Sequence, residues 1–215
     1  MITPQYIADL IAWGAIGART TESPLHRQMA SALSAPVGFK NPTSGNIQTA
    51  VDAILAAAQP HKFPSISIDG RAIVVTTTGN PYCHLVLRGS RAGPNHDAAN
   101  VHEAGTALEK AGLPPRLMID CSHGNSGNDH RRQPGVAADV VGQIAAGSHA
   151  IGAVMLESHL IEGRQDIQRG RHGLRYGQSV TDPCLGWETT THILQELAAA
   201  VRRRNKTVLG STREA

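Results

Sequence analysis

Apolar residues along this chain alternate between two spacings. Short continuous runs give way to stretches in which apolar side chains recur every three or four positions, and then the runs return. The runs read as strands buried on both faces, the stretches as amphipathic helices. Thr3-Pro4 predicts an N-cap and first helical residue for a segment carrying Tyr6, Ile7, Leu10 and Ile11. Gly14 to Ala18 is a strand ending at Arg19. Ser23-Pro24 opens a helix through Leu33, and the strand Val37-Gly38-Phe39 ends at Lys40. Ile47, Val51, Ile54, Leu55 and Ala58 predict one helical face, closed by Pro60. Phe63 to Ile68 and Ala72 to Thr76 flank Asp69-Gly70, a hairpin turn signal, so a hairpin is expected inside the alternation. Leu85 to Leu87 then ends at Arg88, and a helix with Val101, Ala104, Leu108 and Ala111 stops at Gly112. Leu117 to Asp120 leads to Ser122-His123, and a helix covers about 135–146. Ile151 to Leu156 ends at Glu157, and a Gly-rich loop precedes a last helix from about Trp187 to Arg203.

Strands alternating with helices predict an α/β fold with a parallel sheet. Five strands end at or beside a charged or metal-capable residue: Arg19, Lys40, Arg88, His123 and Glu157. A TIM (β/α)8 barrel builds its site from many strand ends in this way, whereas a doubly wound sheet uses one switch point. The barrel reading is favoured. A closed barrel takes eight βα units and roughly 250 residues, while these 215 residues show five units plus the hairpin at about 63–76. The expectation is one domain over 1–215, an incomplete barrel that is either a fragment or completed by something else.

Composition narrows the function class. Aromatics are 3%, so Ala, Val, Ile and Leu must fill the core, and the formal charge is only +3. The largest basic cluster, Arg202, Arg203, Arg204 and Lys206, suits a helix C-terminus and a solvated face. Without stacking aromatics or a recognised motif, nucleic acid is not an expected partner. Three widely spaced cysteines, Cys83, Cys121 and Cys184, argue for a reducing compartment. No run approaches a membrane span and no signal-peptide order opens the chain, so the cytoplasm is expected.

Two constellations carry chemistry. Arg19, Lys40 and Arg88 at one end of a sheet form either an anion site for phosphate and carboxylate or three separate salt bridges. His123, Glu157 and Asp182, one imidazole and two carboxylates from successive units, suit a divalent ion of the Mn, Fe, Co or Zn class, but their spacing is not a compact motif. Cys121 reads as a small core residue. His26, His96, His102, His130, His149, His172 and His192 read as surface residues, with His84 and His159 as possible supports of the site. The pairs Gly14/Gly17 and Gly124/Gly127 lack the dinucleotide fingerprint.

The stretches that hold these residues are GARTTES (17–23), PVGFKN (36–41), HLVLRG (84–89), IDCSHGNS (119–126), VMLESHL (154–160) and SVTDPCLGW (179–187). In this order they resemble the type I 3-deoxy-D-arabino-heptulosonate 7-phosphate (DAHP) synthases, from about Ile2 to Arg203. The resemblance implies a transferase that condenses phosphoenolpyruvate with erythrose 4-phosphate and water, giving DAHP and phosphate. That is the first step toward chorismate and the aromatic amino acids. It implies that Ala18, Arg19, Lys40 and Arg88 bind phosphoenolpyruvate, that Lys40 and His123 are catalytic, and that His123, Glu157 and Asp182 are metal ligands. It also implies a feedback region at Pro4, Gln5, Ser34, Phe63 and Val75 for an aromatic amino acid; the chain is expected to form a homo-oligomer or to need the missing N-terminal part. GNPYCH (79–84) and HRRQ (130–133) lean toward a tryptophan-sensitive branch. The family's cysteine ligand, a further arginine and its Lys-Pro-Arg-Thr loop have no counterpart in the 215 residues, and none of the three cysteines replaces that ligand. An inactive truncated or split product is therefore the alternative, and the isolated chain is expected to show no measurable synthase activity and to be aggregation-prone or partly unfolded until the missing N-terminal portion is supplied. The related 3-deoxy-octulosonate 8-phosphate synthases fit the SHGNS and ESHL motifs less well.

Overall fold

The computed structural model describes residues 3–167 and 173–211, with side chains to 206 in the last helix. The five apolar runs form one parallel sheet. Its strands are β1 (Gly14–Ile16), β2 (Val37–Lys40), β5 (Cys83–Leu87), β6 (Leu117–Asp120) and β7 (Ile151–Met155), side by side in chain order. A doubly wound sheet would reverse its strand order; this one does not. The inner strands are apolar because both their faces are covered: every residue of β2 and β6 is buried, while β1 and β7, at the two ends of the sheet, are partly exposed.

Helices cover the sheet in the crossovers. They are α1 (Pro24–Ser31), α2 (Ile47–Ala57), α3 (Ala98–Lys110) and α4 (Gln133–Ala145), with α5 (Trp187–Ser211) last. Val51 and Ile54 of α2, Val101 and Leu108 of α3, Val136 and Val140 of α4, and Ile193 and Leu197 of α5 join Phe39, Leu85, Leu87 and Ile119 in one core. Side-chain oxygens start two of these helices, Asn46 accepting from the Gln48 amide and Asp97 from the Ala99 and Asn100 amides. The hairpin pairs β3 (Lys62–Ile66) with β4 (Ala72–Thr76) in antiparallel register, apart from the main sheet. Gly70 at its tip takes φ 79°.

Three elements differ from the pattern. The predicted N-terminal helix is two 3-10 turns, Pro4–Tyr6 and Ala8–Leu10, and Thr3 makes no side-chain cap. The break at Ile7 (φ −132°) and the exposure of Ile7 and Leu10 show why: the segment has no apolar face to cover, and short helices are marginal alone. The Gly-rich loop contains a parallel pair, β8 (Ile161–Arg164) and β9 (Gln178–Ser179), too short to show periodicity. The last helix runs on to Ser211, and its basic cluster is not uniformly solvated, since Arg204 donates to the Ser148 carbonyl at 2.8 Å. No helix among the described residues is long and apolar enough to cross a membrane.

Candidate functional site

The site lies where the parallel strands end. Lys40 closes β2, Asp120 closes β6, Arg88 follows β5 and Glu157 stands just beyond β7. Register aligns these ends, with Lys40 opposite Val86 and Asp120 opposite Met155.

Asp120 sits at the centre with a fully buried side chain. Its Oδ2 accepts from Lys40 Nζ at 2.8 Å and from His123 Nδ1 at 2.9 Å. Its Oδ1 accepts from the Ser122 amide at 2.9 Å and the Ser122 hydroxyl at 2.6 Å. Burial opposes ionisation, but the His123 hydrogen bond and the Lys40 charge outweigh it and hold the carboxyl well below the usual carboxylate range. The strand-end rule that selects Lys40 also selects Asp120; the sequence reading passed over it.

The structure brings His123, Glu157 and Asp182 together. One ligand atom from each lies within 4.8 Å of the others, and His123 Nε2 is 3.7 Å from Glu157 Oε1. A fully buried amide fixes Glu157: Gln133 accepts from the Glu157 N–H at 2.9 Å and donates to its carbonyl at 3.2 Å. A small hollow of about 60 Å³ adjoins the trio, and His130 lines it beside Gln133. His130 is thus not a surface residue; its side chain is 14% exposed and lies 3.1 Å from Glu162. Donor chemistry fits a divalent ion: an imidazole nitrogen and two carboxylates, few enough to leave coordination positions open.

The cations divide. Lys40 is buried against Asp120. Arg88 is half-buried, and its Nε is enclosed without a hydrogen-bond partner. Burial lowers its pKa, and the Asp120 charge opposes that shift. Lys40 thus forms an ion pair, a buried one, whereas Arg88 forms none among the described residues. Arg19 is exposed and makes no hydrogen bond or ion pair among the described residues. It stands with Ala18 in the Gly17–Thr21 turn, which Thr21 fastens to the Lys40 carbonyl at 2.6 Å.

A set of buried amides joins the strand ends. Asn41 Oδ1 accepts from the Arg88 amide and from Asn95 Nδ2, and Asn41 Nδ2 donates to the Gly89 carbonyl. Asn95 Oδ1 accepts from the Gly89 amide. Asn125 Nδ2 donates to the Leu87 and Asp120 carbonyls, while its Oδ1 accepts from the Asn95 amide. The loops after β5 and β6 meet at Gly89 and Gly124. A Cβ on Gly89 would lie 2.4 Å from the Gly124 carbonyl carbon.

Pro4, Gln5, Phe63 and Val75 line one hollow of about 640 Å³ between the N-terminal turns and the hairpin. Gln5 donates to the Ile66 carbonyl and Tyr6 to that of Ser67, 2.7 Å away. Ser34 lines the adjoining hollow, which shares Ala32 and Val75 with the first. His84 belongs to neither site: it accepts from Trp13 Nε1 at 3.1 Å near the start of β5. Cys121 is a core residue. His172 lies outside the described residues.

The chain matches the DAHP synthetase I family over residues 1–195. It belongs to that family. Among curated relatives, the Phe-sensitive phospho-2-dehydro-3-deoxyheptonate aldolase of Escherichia coli is 54% identical over 204 residues, covering 95% of this chain and 58% of that one. A Schizosaccharomyces pombe protein named putative phospho-2-dehydro-3-deoxyheptonate aldolase is 55% identical, with 94% and 55% covered. The chain thus spans little more than half the length of the relatives it matches. The solved phospho-2-dehydro-3-deoxyheptonate aldolase of Francisella tularensis superposes with a TM-score of 0.88 at 49% identity, covering 94% of this chain and 58% of that one. A Thermotoga maritima DAHP synthase at 19% identity (TM-score 0.55) shares the fold.

Proposed function

We propose that this chain carries the phosphoenolpyruvate- and metal-binding part of a DAHP synthase, the transferase that joins phosphoenolpyruvate to erythrose 4-phosphate. The observation that carries the reading is the enclosed, unpartnered Nε of Arg88, which follows β5 at the sheet end that also carries the Lys40–Asp120 pair and the His123–Glu157–Asp182 trio. A buried guanidinium nitrogen without an acceptor is an incomplete bond, and a phosphate or carboxylate oxygen completes it. Membership of the family and the names of the relatives point the same way.

In this reading Arg88 and Lys40 bind the anionic groups of phosphoenolpyruvate, and Arg19 with the Ala18 amide closes the rim. A divalent ion of the Mn, Fe, Co or Zn class, held by His123, Glu157 and Asp182, would supply Lewis-acid polarisation of the aldehyde. In the condensation the enol carbon bonds to the aldehyde carbon, the aldehyde oxygen takes up a proton, water adds at C2 with loss of a proton, and phosphate departs. Lys40, its ammonium held by Asp120, is the residue we assign to proton transfer, and Arg88 is assigned to stabilise charge on the departing phosphate. The hollow at Pro4, Gln5, Phe63 and Val75, with Ser34 beside it, is read as an aromatic amino acid site. Some relatives are named Phe-sensitive or Tyr-sensitive. We further read residues 1–215 as one unit, with the five sheet strands as five of the eight of a (β/α)8 barrel that works as a homo-oligomer in the cytoplasm.

Calorimetry with phosphoenolpyruvate and Mn²⁺ tests this. Arg88→Ala is expected to weaken phosphoenolpyruvate binding by about 2–5 kcal/mol, as for a desolvated charge-assisted contact. Arg19→Ala, at an exposed position, should cost about 1 kcal/mol or less. Equal affinities for wild type and Arg88→Ala would overturn the assignment.

A further inference from the structure

One carboxylate oxygen serves both halves of the site. Asp120 Oδ2 lies 2.8 Å from Lys40 Nζ and 2.9 Å from His123 Nδ1. A carboxylate has no proton to give, so His123 must present Nδ1 to it as N–H. Ser122 reinforces this. Its hydroxyl donates to Asp120 Oδ1 at 2.6 Å, so the oxygen that lies 2.7 Å from His123 Nδ1 also faces the ring as an acceptor. With the ring proton placed on Nδ1, a neutral His123 has a bare Nε2. That nitrogen points toward Glu157 Oε1, at a separation of 3.7 Å, too long for a hydrogen bond. A bare lone pair there is what a metal ligand requires, and an N–H would block it.

We propose that Asp120 is a positioning residue that fixes the His123 tautomer for metal binding and, through the same oxygen, sets the place of the Lys40 ammonium. The inference rests on the metal and phosphoenolpyruvate reading above, but it has its own observable. Asp120 is not among the three ligand residues. It acts by deciding which imidazole nitrogen carries the proton. In Asp120→Asn the single amide oxygen stays with the Ser122 backbone N–H, which cannot turn away. The amide NH₂ then faces Lys40 and His123 Nδ1. With a donor facing Nδ1 and only the Ser122 hydroxyl oxygen left to hold an N–H there, the ring proton shifts to Nε2 and the metal position is lost. Ser122→Ala keeps both Oδ2 contacts and is expected to keep the tautomer.

The test is ¹⁵N–¹H correlation spectroscopy of the histidine rings in the full, metal-free chain at pH 8, with Mn²⁺ affinity measured separately by water-proton relaxation. Wild type and Ser122→Ala should show His123 protonated at Nδ1 only. Asp120→Asn should show the proton on Nε2, with Mn²⁺ affinity reduced roughly 10- to 100-fold. A wild-type ring carrying a proton on Nε2 would overturn the proposal without any variant, so the test survives if Asp120→Asn does not fold. Unchanged tautomer and Mn²⁺ affinity in Asp120→Asn would overturn it too, as would a Ser122→Ala protein that behaves as Asp120→Asn was expected to. A wild-type protein with the predicted tautomer but no Mn²⁺ binding would instead defeat the metal reading and leave the Asp120–His123 assignment standing.

Discussion

Replacing Gly89 by alanine isolates the steric demand of the site's loop crossing from the general strain of left-handed backbone. Gly89 has φ 78°, and a Cβ there would sit 2.4 Å from the Gly124 carbonyl carbon, 2.5 Å from the Asn125 nitrogen and 2.8 Å from the Gly124 Cα. All three are backbone atoms and none can rotate aside. Gly70, at the hairpin tip, has nearly the same φ, 79°, and a Cβ there would meet nothing within 4 Å. The left-handed conformation costs an L-residue about 1–2 kcal/mol, and both variants share that cost. Only Gly89→Ala adds overpacking of backbone on backbone, worth roughly 1–3 kcal/mol. With a urea dependence of about 2 kcal/mol per molar, Gly89→Ala should unfold about 0.5–1.5 M earlier than Gly70→Ala. The displaced segment carries His123, so Mn²⁺ binding should weaken in Gly89→Ala, even well below the unfolding midpoint, and stay normal in Gly70→Ala. Urea denaturation of the two variants in the full chain, followed by circular dichroism, decides it. Coincident midpoints would refute the argument, because the conformational strain would then explain both losses without any contact between the loops.

Two further outcomes follow from the helix caps and thiols. Asp97→Ala should destabilise by about 1 kcal/mol at neutral pH, since its carboxylate accepts from the Ala99 and Asn100 amides at the start of α3. The Asn100 N–H, aided by the other cap bonds against a small burial effect, holds the Asp97 pKa below its ordinary value. The ionised cap's contribution is therefore complete above about pH 4 and lost as pH falls through the lower folded value, so denaturation at pH 7 and pH 2 should show the wild-type advantage shrinking. Burial, with Asp120 adding to it, pushes the Cys121 thiol up to about 12, and burial does the same to Cys83. Neither thiol should react with a disulfide reagent at pH 8 until the chain is unfolded; rapid labelling of the native protein would contradict that.

The strands were legible because a parallel strand announces itself: Val37 to Phe39 and Leu85 to Leu87, which are buried, and Ile151 to Leu156, which is partly exposed, are all continuous apolar runs with no polar alternation. The strand-end residues followed from the same pattern: Lys40, Arg88, His123 and Glu157 lie at one end of the sheet, Asp182 joins His123 and Glu157 there, and Arg19 stays exposed. What escaped was everything whose meaning depends on a distant partner. Asp120 closes an apolar run like any last residue of a strand, and Lys40 is 80 positions away. Gln133 begins a helix and gave no sign that it would be buried against the Glu157 backbone. Asn41, Asn95 and Asn125 have the composition of loops, and their burial arises only when three loops converge. At the N-terminus the error ran the other way: the spacing of Tyr6, Ile7 and Leu10 imitates a helical face, but of the three only Tyr6 reaches the hairpin, through its hydroxyl, while Ile7 and Leu10 stay exposed.

The buried asparagines also determine how the site exchanges with solvent. Loops at the ends of strands usually open in small local fluctuations, and their amide hydrogens are lost early. Here the amide hydrogens of Arg88, Gly89 and Asn95 are each held by an asparagine oxygen, and each of those asparagines is itself anchored on a neighbouring strand or loop. Freeing one of these hydrogens requires several strand ends to separate at once. The end of the sheet that carries the chemistry should therefore rank among the slowest-exchanging parts of the backbone, while the exposed hairpin tip, where the Gly70 amide is held only by the Ser67 carbonyl three residues back, should exchange earlier.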